Sequence, residues 1–439
     1  MKIHVFQSEQ GDCLMVEDAA EAHRILCDGG TPTAMRRNIA TELGTWREAG
    51  KAIDLAYISH IDSDHIGGIA VLLDLMMQWK VFDFHQEAGD PSSEPQLPRT
   101  PEIHRIWHNA FRDLITDNVG DIEELLAASA PMLQASQVPD LVHLGHEYAQ
   151  IATSVKEALT VSRLIKPERL DIALNALEAT PDHSGKLLMA RPDQAAETIG
   201  GLTVSILCPT PKELRALRKG WDHWLRDKKN RQTAREVRDL YAGQLEASAG
   251  AHGLNPIDLH EWEGVAAYKN VTAPNVASTV LLVEEDEKTL LLTGDNHPDM
   301  ILAGLKSGGH LGESGGIHLT VLKYPHHGSE HNVSSDFTRK VSADHYIFCG
   351  DGSNTNPEIE VLEEMLAARV DPAGKRAVAP EAAGRSFKFW FSTSPALQTP
   401  SAKRDHMKAV EKWAQRKAAQ HAGVFSFEFS DTPCMTIAP

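Results

Sequence analysis

The sequence predicts an α/β fold in which two strand-rich blocks, residues 1–80 and 269–439, flank a long, mainly helical insertion over 81–268. Three observations carry that expectation. Short apolar runs alternate with helix-period stretches in both flanking blocks, the pattern of strands joined through helices. Between the blocks, turns at Pro91, Pro95, Pro98 and Pro101 open a region of helical patterns such as Asp121–Ala135 and Glu147–Leu164. Both blocks, finally, set acidic and histidine residues directly after apolar strand-like runs.

Taken in order, Ile3–Phe6, Cys13–Glu17 and Arg24–Cys27 read as three strands punctuated by Gly11-Asp12 and Asp28-Gly29-Gly30. Thr31–Gly50 carries Met35, Ile39, Leu43 and Trp46 at helical spacing, with Gly50 as a stop. Ala52–Ser59 is a short buried strand, and Ile69, Leu72, Leu73 and Met76 mark the apolar face of a helix beyond it. Inside the insertion, Leu202–Cys208 is the one core-like strand. The second block predicts a hairpin, Ser278–Glu284 and Lys288–Leu292, turning at Glu285-Asp286-Glu287. Strands follow at Leu319–Tyr324 and His345–Cys349, and Asn356 with Pro357 starts a helix as N-cap and first residue. Ser401 caps a helix through Met407, Val410 and Ala414 that stops at Gly423, and Val424–Phe429 is the last strand.

The bulk properties narrow the class. A chain of 439 residues, 42% hydrophobic and 24% charged, suits a globular α/β enzyme carrying an insertion. No run reaches the roughly 18 apolar residues of a membrane span, and Met1–Phe6 reads as a first strand, so the expected location is the cytoplasm. Cys13, Cys27, Cys208, Cys349 and Cys434 are scattered without a CxxC pair, which fits free thiols in a reducing compartment. The formal charge of −18 argues against a protein that coats nucleic acid non-specifically. One stretch departs from that balance: Lys212–Arg238 holds ten Lys or Arg against four acids, a local +6. Its ordinary reading is a solvated helix face. Its functional reading is a phosphate-attracting rim with Trp221 and Trp224 available to stack on bases.

Chemistry concentrates at Ser59-His60-Ile61-Asp62-Ser63-Asp64-His65-Ile66-Gly67-Gly68, where four metal-competent side chains fall within six residues on a strand-to-helix corner. In an extended loop His60 and Asp62 turn to one side, while Asp64 and His65 begin the next helix and reach a second ion beside the first. Carboxylates with neutral imidazoles suit Zn²⁺, Mn²⁺ or Fe. More ligands must come from distant sequence. Asp295, after Lys288–Leu292, and His326 or His327, after Leu319–Tyr324, are placed to supply them.

Gly11-Asp12, Asp28-Gly29-Gly30, Ser59–Gly68, Asn275-x-x-Ser278, Leu291–Asp295 and Lys323–Ser329 together resemble the metallo-β-lactamase-fold hydrolases, whose signature is H-x-H-x-D-H. The likeness covers roughly residues 1–80 and 270–360 and is closest to the metallo-hydrolase domain of bacterial DNA-uptake (competence) channel proteins. It implies an αββα sandwich with one or two divalent metal ions, Zn or Mn. By position, His60, Asp62, Asp64, His65, Asp295 and His326 are then ligands, with Asp295 a candidate bridge. His327 is either the ligand in place of His326 or a group acting on substrate. Asp62 stands where the general signature has its second His, and this harder oxygen donor shifts preference from Zn²⁺ toward Mn²⁺. Asn275 stands where many relatives carry a third His.

Metal-bound water loses its proton toward a pKa of about 7 and attacks an electrophilic phosphorus or carbonyl. Asp64 is the candidate to orient that water or take its proton, His327 or Lys323 to protonate the leaving group, and Ser329 and Asn275 to position substrate. The leading expectation is a phosphodiesterase or nuclease with a nucleic acid or nucleotide substrate. A hydrolase of a small ester, thioester, amide or lactone is the alternative within the fold, and a non-catalytic metal-binding regulatory module the alternative outside enzymes.

Overall fold

The computed structural model describes residues 1–109, 157–178, 187–191, 194–211, 278–371 and 376–439, and these form a mixed α/β structure around two sheets. The seven-stranded sheet runs, edge to edge, β15 (Cys434–Ile437), β1 (Lys2–Phe6), β2 (Leu14–Glu17), β3 (Arg24–Cys27), β4 (Leu55–Tyr57), β5 (Arg105–Trp107) and β6 (Ala173–Leu174). Pairings from β15 to β3 are antiparallel and those from β3 to β6 parallel. The eight-stranded sheet runs β14 (Phe425–Phe429), β13 (Phe387–Phe391), β12 (Val341–Phe348), β11 (Ile317–Lys323), β10 (Lys288–Leu292), β9 (Val280–Glu285), β8 (Leu202–Cys208) and β7 (Glu197–Ile199). It is parallel from β14 to β10 and antiparallel from β10 to β7.

Alternation along each strand decides which core a side chain joins. Ile3 and Val5 of β1, Ile25 and Cys27 of β3, and Leu55 and Tyr57 of β4 share one apolar cluster with Leu281 and Val283 of β9 and Leu290 and Leu292 of β10. That cluster is drawn from both sheets. The opposite faces receive helices. Met15, Leu26 and Ala56 pack with Met35, Ile39, Leu43, Ile66, Ile69, Leu72 and Leu73. These come from α1 (Pro32–Ala34), a π-helical turn at Met35–Ile39, α2 (Ala40–Glu48) and α3 (Ser63–Ala88). Leu282, Leu291, Leu322 and Phe348 pack with α4 (Pro298–Ser307), α5 (Ser335–Lys340), α6 (Ile359–Val370) and α7 (Ala402–Gln420), through Ile301, Phe337, Leu362 and Trp413 among others. No helix among the described residues is long and apolar enough to cross a membrane. All five cysteines are free thiols, four of them buried.

The structure departs from the sequence reading in four places. The run expected as one helix from Thr31 is broken by the π turn, although Thr31 caps it, its Oγ1 accepting from the Ala34 amide at 3.0 Å. The region 81–268 contributes four described strands, β5 to β8, where one was expected; β5, β6 and β7 are two or three residues long, too short for alternation to register. Asn356 is not an N-cap. The Glu358 amide donates to the Gly328 carbonyl at 3.0 Å, which keeps residue 358 extended, and α6 begins only at Ile359. Finally, Phe425–Phe429 is not the last strand, because β15 crosses to the other sheet and pairs with β1 from Ile3↔Ile437 to Phe6↔Cys434. Asp121–Ala135, Lys212–Arg238 with Trp221 and Trp224, and Asn275 lie outside the described residues.

One backbone contact sets the position of α3. The Gly68 amide donates to the Gly30 carbonyl at 2.9 Å and the Gly29 amide to the His65 carbonyl at 2.8 Å. A methyl on Gly68 would meet the Gly29 carbonyl oxygen at 1.9 Å. Neither backbone can retreat without moving β3 or the helix. Gly68→Ala is therefore expected to cost about 3 kcal/mol through overpacking, read as a lowered denaturant midpoint with the m-value retained.

Candidate metal centre

Five strand ends converge on one point. β3 leads to Asp28 and β4 into Ser59–His65, while β10 leads to Asp295, β11 to His326 and His327, and β12 to residues 350–356. The turn between β1 and β2 adds Asp12. Carboxyl ends of parallel strands are where open α/β sheets place ligands. The backbone is strained here: Asp28, His326 and His327 have φ of 57°, 47° and 55°, the sparsely populated left-handed region for non-glycine residues.

Asp28 organises the histidines. Its Oδ1 accepts from the Ser59 amide at 2.7 Å, and its Oδ2 accepts from Ser59 Oγ at 2.7 Å and from His65 Nδ1 at 2.9 Å. With its proton given to Asp28, Ser59 Oγ accepts from His60 Nδ1 at 3.0 Å. Both rings are thereby held with Nδ1 protonated and Nε2 bare. His65 Nε2 faces Asp295 Oδ1 at 3.4 Å, and His60 Nε2 lies 3.5 Å from Asp62 Oδ2 and 3.9 Å from Asp295 Oδ2. His327 Nδ1 lies 3.1 Å from Asp12 Oδ1, and its Nε2 is 3.5 Å from both Asp64 Oδ2 and Asp295 Oδ2. His326 reaches Asp295 Oδ2 at 3.7 Å, its Nδ1 meeting Asn332 Oδ1 at 2.6 Å. The Asn332 amide in turn donates to the Asp295 and Asn296 carbonyls, both at 3.1 Å.

The donor set fits a divalent cation. Ligand atoms of Asp12, His65, Asp295 and His327, all buried, lie within 4.8 Å of one another. His60 Nε2, His65 Nε2 and Asp295 Oδ1 are buried without a hydrogen-bond partner. Lone pairs facing lone pairs at such distances need positive charge between them. The same demand appears in the protonation of the histidines. Burial works against a charged His65, but Asp295, Asp28 and Asp12 outweigh it and hold its pKa well above the ordinary value. His327 is raised likewise, against burial, by Asp295 and Asp12. Asp295 is buried too, yet His327, His65 and His326 keep its carboxyl well below the usual range. Asp64 is lowered against its own burial by His327 and His65.

A cleft of about 610 Å³ opens over this cluster, and Asp62, Asp64, Asp295, His326 and His327 line it. His60 and His65 lie beneath, 4% and 0% exposed. Lys323 stands elsewhere than its expected role requires. It is fully buried, absent from the cleft wall, ion-paired with Asp12 and hydrogen-bonded to the Gly294 carbonyl at 3.2 Å. Burial opposes its charge, and Asp12 and Asp295 raise its pKa above the ordinary lysine value, so it serves as an internal counter-ion and not as a proton donor to substrate. Ser329 is buried and lines no part of the cleft; its amide donates to the His326 carbonyl at 2.9 Å and so closes the turn that carries both histidines. Asp12 and Asp28 belong to the family likeness as Gly11-Asp12 and Asp28-Gly29-Gly30 but were given no role in the site, and Asn332, after His331 with no periodic signal, escaped the sequence reading. His108, just after β5, is buried with both ring nitrogens unpartnered, and burial with the nearby His60 pushes its pKa down to about 3.

The strand order, the buried histidine–carboxylate cluster and the corner after β4 can be set beside known proteins. Residues 8–75 match the metallo-beta-lactamase superfamily. The metallo-beta-lactamase match spans β2 to the middle of α3, with Asp12, Asp28, His60, Asp62, Asp64 and His65 inside it. Asp295, His326 and His327 lie beyond its end. Members of that superfamily are mostly metal-dependent hydrolases, and the cluster here is a possible metal-binding site of the kind such chemistry uses. No curated protein matches the chain.

Two measurements follow. Asp28→Ala frees His65 Nδ1 and is expected to weaken Zn²⁺ or Mn²⁺ binding about 10- to 100-fold, read by calorimetric titration of the metal-depleted protein. Lys323→Met leaves Asp12 buried without its ion-pair partner and is expected to cost about 3–5 kcal/mol of folding stability, read by urea unfolding.

Proposed function

We propose that this protein is a metal-dependent phosphodiesterase or nuclease acting on a nucleic acid or nucleotide. In this reading the two sheets and their flanking helices are the αββα metallo-β-lactamase sandwich, nearest to the metallo-hydrolase domain of DNA-uptake channel proteins, with 81–268 its insertion. The observation that carries it is the wall of the cleft. Pro32 is the only apolar side chain among the described lining residues, the others being polar or glycine. A small ester or lactone is gripped by apolar surface, whereas a charged phosphodiester suits a polar groove. The basic stretch Lys212–Arg238 supports the same substrate class.

His60, Asp62, Asp64, His65, Asp295 and His327 would hold one or two Zn²⁺ or Mn²⁺ ions, with Asp12 behind His327. Such ions acidify water and stabilise charge on the phosphoryl oxygens. The chain's own groups do the rest. Asp28 and Ser59 fix the tautomers of His65 and His60, so that neither ring must reorient during turnover. Asp64, on the first turn of α3 and with a side chain 27% exposed to the cleft, orients the attacking water and takes its proton. His326, 26% exposed and held through Nδ1 by Asn332, presents its Nε2 to Asp295 and to what enters the cleft. The deep histidines and Lys323 stay out of solvent and keep the site's charge balanced.

Asp64→Ala is expected to lower hydrolysis of bis-p-nitrophenyl phosphate and of single-stranded DNA at least about 100-fold, with the metal content read beside it by atomic emission. Full activity in that variant with metal still bound sinks the role given to Asp64. A panel of DNA, RNA, cyclic nucleotides and p-nitrophenyl esters, each with Mn²⁺ and with Zn²⁺, decides the class. Turnover of the esters alone favours the small-ester reading, and turnover of none favours a regulatory metal-binding module.

A further inference from the structure

The cleft is unbalanced in charge. Glu9, Asp62, Asp64 and Asp295 line it, and the only Lys or Arg among its described lining residues is Lys403. That lysine is held, not loose. Its Nζ donates to Asp351 Oδ2 at 3.0 Å, and Asp351 is itself buried, its Oδ1 accepting from the Ser353 amide at 3.0 Å and from Ser353 Oγ at 2.6 Å. An ammonium has three donors, so Asp351 fixes its place and leaves two directed elsewhere. The loop from β12 connects this lysine to the metal cluster. A Cβ on Gly350 would lie 3.8 Å from His327 Cβ, and one on Gly352, whose φ is +88°, would meet the Lys403 carbonyl at 2.4 Å. The same short loop therefore packs on His327 at one end and on Lys403 at the other. Between them Asn356 is 8% exposed and lines the cleft, and its Oδ1 has no hydrogen-bond partner. An amide oxygen only accepts, so towards an anion in the cleft Asn356 would turn its Nδ2, the donor end of the same group.

We propose that Lys403, with Asn356, forms a subsite for a second phosphate of the substrate, next to the one that is cut. The subsite rests on the phosphodiester reading above and gives it a specificity: substrates with an adjacent phosphate are preferred over those with a single one. Lys403 acts by holding that phosphate at a fixed distance from the metal cluster, and Asn356 Nδ2 donates to it.

The test compares thymidine dinucleotides with and without a phosphate at either end, using the full chain loaded with Mn²⁺. The wild type is expected to show a KM about 10-fold lower for a phosphorylated dinucleotide, the size of one charge-assisted hydrogen bond. Lys403→Met should erase that preference and Lys403→Arg restore most of it. Equal discrimination by wild type and Lys403→Met overturns the subsite. Turnover of neither dinucleotide is a failure of the phosphodiester reading, and the subsite is then judged by calorimetric titration with inorganic pyrophosphate. Binding weakened about 10-fold in Lys403→Met supports it, and equal binding refutes it.

Discussion

Everything at the centre of this molecule answers to one electrostatic constraint: acids and imidazoles are crowded into a space from which water is excluded. Asp12, Asp28 and Asp295 are each under 4% exposed, and a carboxylate so placed must have a positive partner or a dense set of donors. Each is met differently. Asp28 takes two donors from Ser59 and one from His65, Asp12 takes Lys323 and His327, and Asp295 faces His65, His326 and His327. Only Asp295 lacks a firm partner, with its nearest imidazole nitrogens at 3.4 to 3.7 Å. The shortfall marks where a cation belongs.

The fold serves that constraint by aiming strand ends at one place. Parallel pairing of β3 with β4, and of β10 through β12, stacks five carboxyl-terminal loops at one end of the two sheets. The sheets are tied there as well as through their shared core. The Thr279 amide donates to the Ser59 carbonyl at 2.8 Å, and the Tyr57 hydroxyl donates to the Thr279 carbonyl. Residues from distant sequence thus meet on rigid backbone, which suits ligands that must not relax when charge changes.

How much of this was legible in the sequence depends on how local the cause was. The corner from His60 to His65 was readable because four donors sit between two apolar runs, and the structure sets the histidines below the cleft and the aspartates at its wall. Asp295 and the His326-His327 pair were readable for the same reason, each following an apolar run. Which histidine turns inward was not, since it is settled by two consecutive left-handed residues that no periodicity announces. Lys323 misled because neighbourhood in sequence was taken for neighbourhood to substrate. As the last residue of a buried strand it turns inward and meets Asp12, a residue over 300 positions earlier whose role needs both sheets to be seen. The strands β5 to β7 were hidden by brevity.

The pairing of β15 with β1 has a consequence for how the chain assembles. Until residues 434–437 have been made, β1 presents an open edge of unpaired amides and carbonyls, although every other described strand of its sheet is complete some 260 residues earlier. An uncovered edge is a template for adding strands from other chains. During synthesis the first sheet therefore spends most of its time as an unfinished surface, open to neighbouring nascent chains and to holding factors. The short crossing strand is in this sense a closing clasp on the first sheet.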